Sequence, residues 1–253
     1  MDVTPHAAGV REYVPGDPMK RIHWPSTARR GRFMVKEFEQ DPQADIWLFL
    51  DAETGIQASL PDEETLPAQA GSWWLHRPTT PLPRNTFEYA ISAAASLASF
   101  FLADRRAVGL VSAAGKFTVV SAERGMRQTN KIMETLAFLQ PEGNIPLHGL
   151  VDIQAKLLPL GSGVVLITSS TRPDLILAVE DLQRRNLRPV VVLIKPETFG
   201  FREKSEMVAA GLTRTNVPVC QIGLGDNLGV QLALPVVYFQ HPYLSKPYFS
   251  VWG

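Results

Sequence analysis

Cysteine is almost absent. Cys220 stands alone among 253 residues, so no disulfide can form within the chain and the fold must close on apolar packing. It lies in the apolar run Val217-Pro218-Val219-Cys220-Gln221-Ile222 and reads as a small core residue, not a reactive thiol. A surplus of one charge is also missing. The 25 basic residues balance the 25 acidic ones, which argues against bulk attraction to nucleic acid or to an anionic membrane surface. No uncharged helical stretch reaches the ~20 residues of a membrane span. The longest, Tyr89 to Ala103, carries Ser92, Ser96 and Ser99 and is expected to be a core helix. Met1-Asp2-Val3-Thr4-Pro5 has neither the basic start nor the apolar run of a secretory signal, so a cytoplasmic chain is expected. Catalytic signatures are missing as well: there is no G-x-S-x-G, no H-E-x-x-H and no P-loop. His6, His23, His76, His148 and His241 are scattered without metal-ligand spacing. These absences mark no reaction class, and neither an enzyme nor a cofactor is expected.

What is present is a run of buried-strand patterns. Ile46-Trp47-Leu48-Phe49-Leu50 is continuously apolar and ends at Asp51, as expected of a strand covered on both faces. Ala107 to Val111, Val164 to Ile167, Val190 to Ile194 and Val217 to Ile222 repeat it. Lys116 to Val120, after a turn at Ala113-Ala114-Gly115, reads as an antiparallel edge strand. Helical patterns lie between. Asn85 is a cap with Glu88 three residues on, followed by Phe87, Ala90, Ile91, Ala94, Leu97, Ala98 and Phe101 at helical spacing. Ile132 to Leu139 predicts a second helix, Leu147 to Leu158 a third, Pro173 to about Asn186 a fourth, Phe201 to Leu212 a fifth and Asp226 to Leu234 a short sixth. Alternating strands and helices predict an α/β domain with a mostly parallel six-stranded sheet and one antiparallel edge strand.

Two intervals depart from this rhythm. Residues 1–43 are polar and punctuated. Met19 to Lys36 holds six basic residues and no acid, before Glu37, Glu39 and Asp41 restore the balance. A division into 1–43 and 44–253 is expected, with the first segment packed on the second. Thr54 to Arg84 contains Pro61, Pro67, Pro78, Pro81 and Pro83 around Trp73-Trp74-Leu75. A connection of this length points to function or disorder, and it leaves the carboxyl end of the first long strand, where open α/β sheets bind ligands.

Arg11-Glu12-Tyr13-Val14-Pro15-Gly16-Asp17-Pro18-Met19-Lys20-Arg21-Ile22-His23-Trp24-Pro25-Ser26-Thr27-Ala28-Arg29-Arg30-Gly31, continued by Met34-Val35-Lys36-Glu37-Phe38-Glu39, resembles the signature of the bacterial family called domain of unknown function 58. The resemblance implies a Rossmann-like three-layer sandwich of von Willebrand factor A type following the signature. It also implies an N-terminal membrane hairpin in full-length members, and a MoxR-type AAA+ ATPase as partner. The family supplies no established catalytic activity.

Domains of von Willebrand factor A type often hold Mg²⁺ through Asp-x-Ser-x-Ser after the first strand, a Thr from a neighbouring loop and an Asp after the fourth strand. A hard cation wants such oxygen ligands. Here the first motif reads Asp51-Ala52-Glu53-Thr54-Gly55, and Thr168-Ser169-Ser170 follows the fourth strand. Asp51 is in place, both serines are replaced, and Ser169 stands where the Asp is expected. Asp51, Glu53, Thr168 and Ser169 could hold a cation in a non-standard way. Alternatively Asp51 caps the strand end by accepting from nearby backbone N–H groups. The second reading is favoured, and the site is expected to be degenerate.

Partner-binding candidates are Trp73, Trp74, Arg21, Trp24 and Arg29. Exposed aromatics and arginines dominate binding hot spots, and guanidinium groups suit carboxylate or phosphate. Against this, Trp73 and Trp74 could fold back over the sheet rim. Trp24 could anchor its segment with His23 as a satisfied neighbour, and Arg11, Arg21, Arg29 and Arg30 could pair with Glu12, Asp17, Glu37 and Glu39. Gly223-Leu224-Gly225 could greet a phosphate, though a plain strand-to-helix turn is the simpler reading. The favoured function is a protein-interaction module, membrane-associated in a full-length form. A divalent-metal-dependent enzyme or ligand-binding domain using the sheet rim is the alternative. Nucleic-acid binding through Lys20 to Lys36 ranks last, because no aromatic platform accompanies the charge.

Overall fold

The computed structural model describes residues 7–14, 22–38, 44–61 and 82–240, which fall into two compact units divided between Ala44 and Asp45. In the first unit, β1 (Ala7–Glu12) pairs antiparallel with β2 (Met34–Phe38), Glu12 opposite Met34. Helix α1 (Trp24–Arg30) lies between them in sequence. Pro25 sits at its start, where a missing N–H costs nothing, and Gly31 ends it with φ of 64°, the left-handed turn that glycine makes cheaply. The helix is tied to β2 by two bonds. The His23 N–H donates to the Met34 carbonyl at 2.7 Å, and the Met34 N–H donates to the Thr27 hydroxyl at 3.0 Å. Ile22, Met34 and Val35 are buried. The polar, punctuated reading of this segment missed these elements, because pairing between residues some 25 apart leaves no local periodicity.

The second unit is the α/β domain that the strand runs predict. Its strands are β3 (Ile46–Leu50), β4 (Val108–Ala114), β5 (Lys116–Glu123), β6 (Gly163–Thr168), β7 (Arg188–Ile194) and β8 (Val219–Ile222). They lie in the order β5-β4-β3-β6-β7-β8, with β5 antiparallel to β4 and all other neighbours parallel. Side chains alternate across the sheet as a two-residue period demands. Ile46, Leu48 and Leu50 join the core formed with α2 (Thr86–Ala103) and α3 (Met126–Phe138). Trp47 and Phe49 join the core formed with α4 (Leu147–Gln154), α5 (Asp174–Arg184) and α6 (Glu206–Arg214). The result is three layers, with β3 and β6 buried at every position.

Local chemistry explains the elements that position the rim. The Asn85 side chain accepts the Glu88 N–H at 2.7 Å and caps α2. Helix α2 is the one helix among the described residues long and apolar enough to cross a membrane. Ala93, Ala94, Ala98 and Phe101 are nonetheless fully buried against the sheet, so it is a core helix, as its serines suggested. Gly109 lies beside Trp47 across the β3–β4 pair, and a Cβ there would come within 2.6 Å of the indole.

Several boundaries move. The turn expected at Ala113-Ala114-Gly115 shrinks to Gly115 alone, at φ of 67°, because Ala113 and Ala114 still pair with β5. The third helix breaks after Gln154 into a 3-10 turn over Ala155–Leu157. The fifth begins at Glu206, after residues 201–205 run as bends and a turn, and a 3-10 turn over Pro196–Phe199, ended by Gly200 at φ of 87°, precedes them. The sixth becomes α7 (Leu228–Gln231), capped by Asn227, and α8 (Ala233–Gln240).

Candidate functional site

The order β4-β3-β6 places the reversal of chain direction around β3. After β3 the chain crosses through α2 to β4 on one side, and after β5 it returns through α3 and α4 to β6 on the other. The carboxyl ends of adjacent strands at such a switch point form the crevice where α/β sheets bind ligands. Asp51 follows β3 and Thr168 ends β6, so the topology brings two of the candidate residues together although 117 positions separate them.

Asp51 is 2% exposed. Its Oδ2 accepts from the Thr168 hydroxyl at 2.7 Å and its Oδ1 from the Glu53 N–H at 3.2 Å. Burial pushes its pKa up to about 6, against the pull of the Thr168 and Glu53 hydrogen bonds. The Thr168 hydroxyl in turn accepts from the Ser170 N–H at 2.9 Å. Asp51 thus caps the strand end and clamps two strand ends together.

Glu53 and Ser169 point elsewhere. Glu53 is gripped by Arg172, whose Nη1 donates to Oε1 at 2.9 Å and whose Nη2 bonds Oε2. Arg172 Nε lies 3.7 Å from Asp174, at the start of α5, and Asp174 lies 3.6 Å from His148 on α4. The Arg172 guanidinium is held above its ordinary pKa, first by the bond to Glu53. Ser169 donates to the Ile56 carbonyl at 3.0 Å and packs the 3-10 turn Thr54–Ile56 onto β6.

Two further contacts fix the turn after β3. Gly143 donates to the Ala52 carbonyl and accepts from the Thr54 N–H. A Cβ on Gly143 would lie 2.3 Å from the Ala113 carbonyl and 2.7 Å from that of Ala52, so only glycine permits the approach. Gln57 donates to the Glu53 carbonyl at 3.1 Å and accepts from the Thr86 hydroxyl at 2.8 Å.

The four oxygen-bearing candidates therefore do not converge on one point. Asp51 faces Thr168, Glu53 faces Arg172, and Ser169 faces a carbonyl. A Mg²⁺ site needs oxygens with lone pairs aimed at a common centre in near-octahedral array, and this donor set does not fit one. No group of three or more His, Cys, Asp or Glu side chains among the described residues is arranged to hold a metal ion. Sequence reading missed Arg172, and the only local signal was a base two positions before the acid that opens α5.

The interval from Thr54 to Arg84 is shorter as a free connection than it reads. Its near end is the Thr54–Ile56 turn. Both ends are joined at the rim, where the Leu60 N–H donates to the Arg84 carbonyl at 2.8 Å and Ser59 bridges Asn85. Trp73 and Trp74 lie outside the described residues, as does Arg21.

In the signature segment, Trp24 opens α1 and is 63% exposed. Ile22, two residues earlier, is the buried side chain. His23 Nδ1 lies 2.7 Å from the Ser26 hydroxyl and is a satisfied polar neighbour. Arg29 and Arg30 are exposed on the last turn of α1, where cations complement the helix dipole. Glu12 pairs with Arg32 at 3.2 Å, a partner not foreseen.

Two other candidates resolve against chemistry. The turn after β8 has its amides occupied: Gly223 by Asp226 at 2.7 Å, Leu224 by the Thr198 hydroxyl at 2.9 Å and Gly225 by the Tyr89 hydroxyl at 3.0 Å. Protein acceptors already stand where a phosphate would. Cys220 is buried, its thiol donates to the Gln231 carbonyl at 3.0 Å, and burial pushes its pKa up to about 12, so it carries no thiolate at neutral pH.

Comparison with known proteins agrees with both halves of this description. The sequence profile of the family described as "Protein of unknown function DUF58" matches residues 9–59, so the family resemblance carried by the signature and the first long strand is shown. The "Uncharacterized protein YeaD" of Bacillus subtilis (strain 168) is 42% identical over 45 residues, a match that spans 18% of this chain and only 11% of that protein's length. Among solved structures, the conserved hypothetical protein BatB from Bacteroides thetaiotaomicron superposes with a TM-score of 0.51 at 11% identity. It covers 78% of this chain and 98% of its own. At that identity the likeness shows the fold, a von Willebrand factor A-like α/β sandwich, and nothing of its use. An aerotolerance-related membrane protein from Bacteroides fragilis NCTC 9343, with multiple mutations to serines, gives a TM-score of 0.46 at 11% identity over 76% of this chain and 96% of its own.

Proposed function

We propose that this chain is a non-enzymatic protein-interaction module, the cytoplasmic part of a membrane-associated protein that works with a MoxR-type AAA+ ATPase. One observation carries the reading. At the switch-point crevice, where an α/β enzyme would aim its reacting groups, the acids and hydroxyls are spent on one another: Asp51 on Thr168, Glu53 on Arg172, Ser169 on the Ile56 carbonyl. No nucleophile among them stands beside a free base, which is the arrangement that nucleophilic catalysis requires. A rim so cross-linked presents fixed shape and charge, the properties of a docking surface. The ATPase partner, the membrane hairpin and the cytoplasmic side are drawn from the family resemblance.

Two surfaces supply the contacts in this reading. One is the interval holding Trp73 and Trp74, whose ends are tied together at the rim by Leu60 and Arg84. The other is the exposed face of α1 bearing Trp24 and Arg29. Exposed tryptophan and arginine side chains are the residue types that dominate interface energetics. Titrating a purified MoxR-type AAA+ ATPase, with and without a non-hydrolysable ATP analogue, onto the immobilised full chain tests the proposal. Saturable binding that the Trp73→Ala/Trp74→Ala pair or Trp24→Ala weakens at least about tenfold is expected, since a hot-spot tryptophan contributes roughly 2 kcal/mol or more. Absence of binding in both nucleotide states overturns the assignment of the partner.

A further inference from the structure

The rim contains its own cation. Arg172 forks onto Glu53 through both terminal nitrogens, and its Nε lies 3.7 Å from Asp174, within ion-pair distance but beyond a hydrogen bond. The Glu53 side chain is 15% exposed and that of Arg172 41%, so the carboxylate end of the pair is largely withdrawn from water, where charge is costly unless compensated. We propose that Arg172 is the resident cation of this rim, neutralising by a guanidinium the carboxylates that a divalent ion would neutralise in metal-bearing domains of this fold. The shape of the crevice is consequently independent of divalent cations.

The donor set and the charge balance both lead there. Glu53 and Asp174 face Arg172, Asp174 also lies 3.6 Å from His148, and Asp51 is spent on Thr168. A small divalent ion would need their oxygens turned inward with open lone pairs, whereas both oxygens of Glu53 meet guanidinium N–H groups and both of Asp51 meet a hydroxyl or an amide. A guanidinium suits this arrangement better. Its charge is spread over a planar fork of five donors and is weakly hydrated, so burying one edge costs less than stripping water from a compact ion. Glu53 cannot serve both cations in this geometry, so a metal would enter only by expelling Arg172. Conversely, removing the guanidinium leaves Glu53 and Asp174 without the charge that compensates them, and the uncompensated charge then favours any divalent ion that can reach them. The inference shares the Glu53–Arg172 pair with the proposed function, but the tests separate the two: failure of the ATPase to bind leaves it standing, and a metal-dependent rim leaves ATPase binding to be measured on its own.

Thermal unfolding of the full chain in EDTA and in millimolar MgCl₂ or MnCl₂ tests it. The wild-type Tm is expected to be the same in all three, and Mn²⁺ calorimetry is expected to show no saturable heat. Arg172→Met is expected to melt lower in EDTA and to regain roughly 2–4 °C in MnCl₂. Glu53→Gln/Arg172→Met, which removes both charges, is expected to ignore the ions. A wild-type Tm that rises with either ion, saturable wild-type binding that Asp51→Ala removes, or an Arg172→Met variant no more responsive than wild type overturns the proposal. If Arg172→Met does not fold in EDTA, its refolding yield with Mn²⁺ is the readout, and rescue supports the proposal while no rescue overturns it.

Discussion

The signature segment and the sheet rim invest in opposite ways. Residues 22–38 carry the sequence that is recognisable by family, yet they form a short helix and a strand with Trp24, Arg29 and Arg30 left to solvent. The rim at residues 51–57 and 168–174 lacks the serines and the second aspartate of an Asp-x-Ser-x-Ser metal site, yet its side chains are tied into a nearly closed set of hydrogen bonds. The difference separates two kinds of constraint. Exposed large and cationic side chains contribute little to folding and are available to a partner. A buried carboxylate, by contrast, requires partners from its own chain.

Mutations sharpen or break that contrast, and the rim should be the sensitive side. Gly143→Ala is expected to have the largest effect, because the new methyl would meet the Ala113 and Ala52 carbonyls at 2.3 and 2.7 Å and neither is a flexible side chain. A loss of about 3 kcal/mol or more by urea denaturation is anticipated. A change under about 1 kcal/mol would mean that the turn after β3 relaxes freely, and the rim would lose its claim to rigidity.

Asp51→Asn comes next and acts through pH. The folded pKa of about 6 lies above the ordinary 3.8, so the folded chain holds this proton more tightly than the unfolded one. The corresponding stability is fully present below pH 3.8 and is lost as pH rises through about 6. The loss amounts to roughly 3 kcal/mol at most. Subtracting the pH profile of Asp51→Asn from that of the wild type should isolate this fall, and a flat difference would show that Asp51 is well solvated. Smallest of all, Trp24→Ala and Arg29→Ala should change folding stability by less than about 0.5 kcal/mol while affecting ATPase binding. A larger loss of stability from Trp24→Ala would assign that tryptophan to packing and dissolve the contrast.

The fold was largely legible before the structure. Continuous apolar runs at Ile46–Leu50, Val164–Ile167 and Val190–Ile194 can be satisfied only by strands covered on both faces, and the helices between them force parallel crossovers. Asn85 and Glu88 announced the start of α2, and it begins there. The hairpin of the signature segment was not legible, since β1 and β2 pair across a helix and neither strand alternates cleanly. Nor was the 3-10 turn Pro196–Phe199, where a proline, a threonine and a phenylalanine give no period.

At the candidate site the sequence located the right place and only part of its contents. Asp51 and Thr168 could be found because each directly follows or ends a strand run, and strand ends converge at a rim. Their direct bond depends on β3 and β6 being neighbours in register, Leu50 beside Ile167, which is a property of the sheet. Arg172 could not be found, because an arginine four residues beyond a strand looks like any other. Its partner Glu53 lies 119 positions away.

The amino-acid sequence by itself determined the six strands of the large sheet, the helices between them, the family signature and the inert nature of Cys220, because burial periodicity and composition are local properties. The tertiary structure alone decided which charge meets which. That selection is made by strand order and register, through which the Glu53 and Arg172 turns meet at one crevice, and attraction at a few ångströms depends on that approach and not on spacing along the chain.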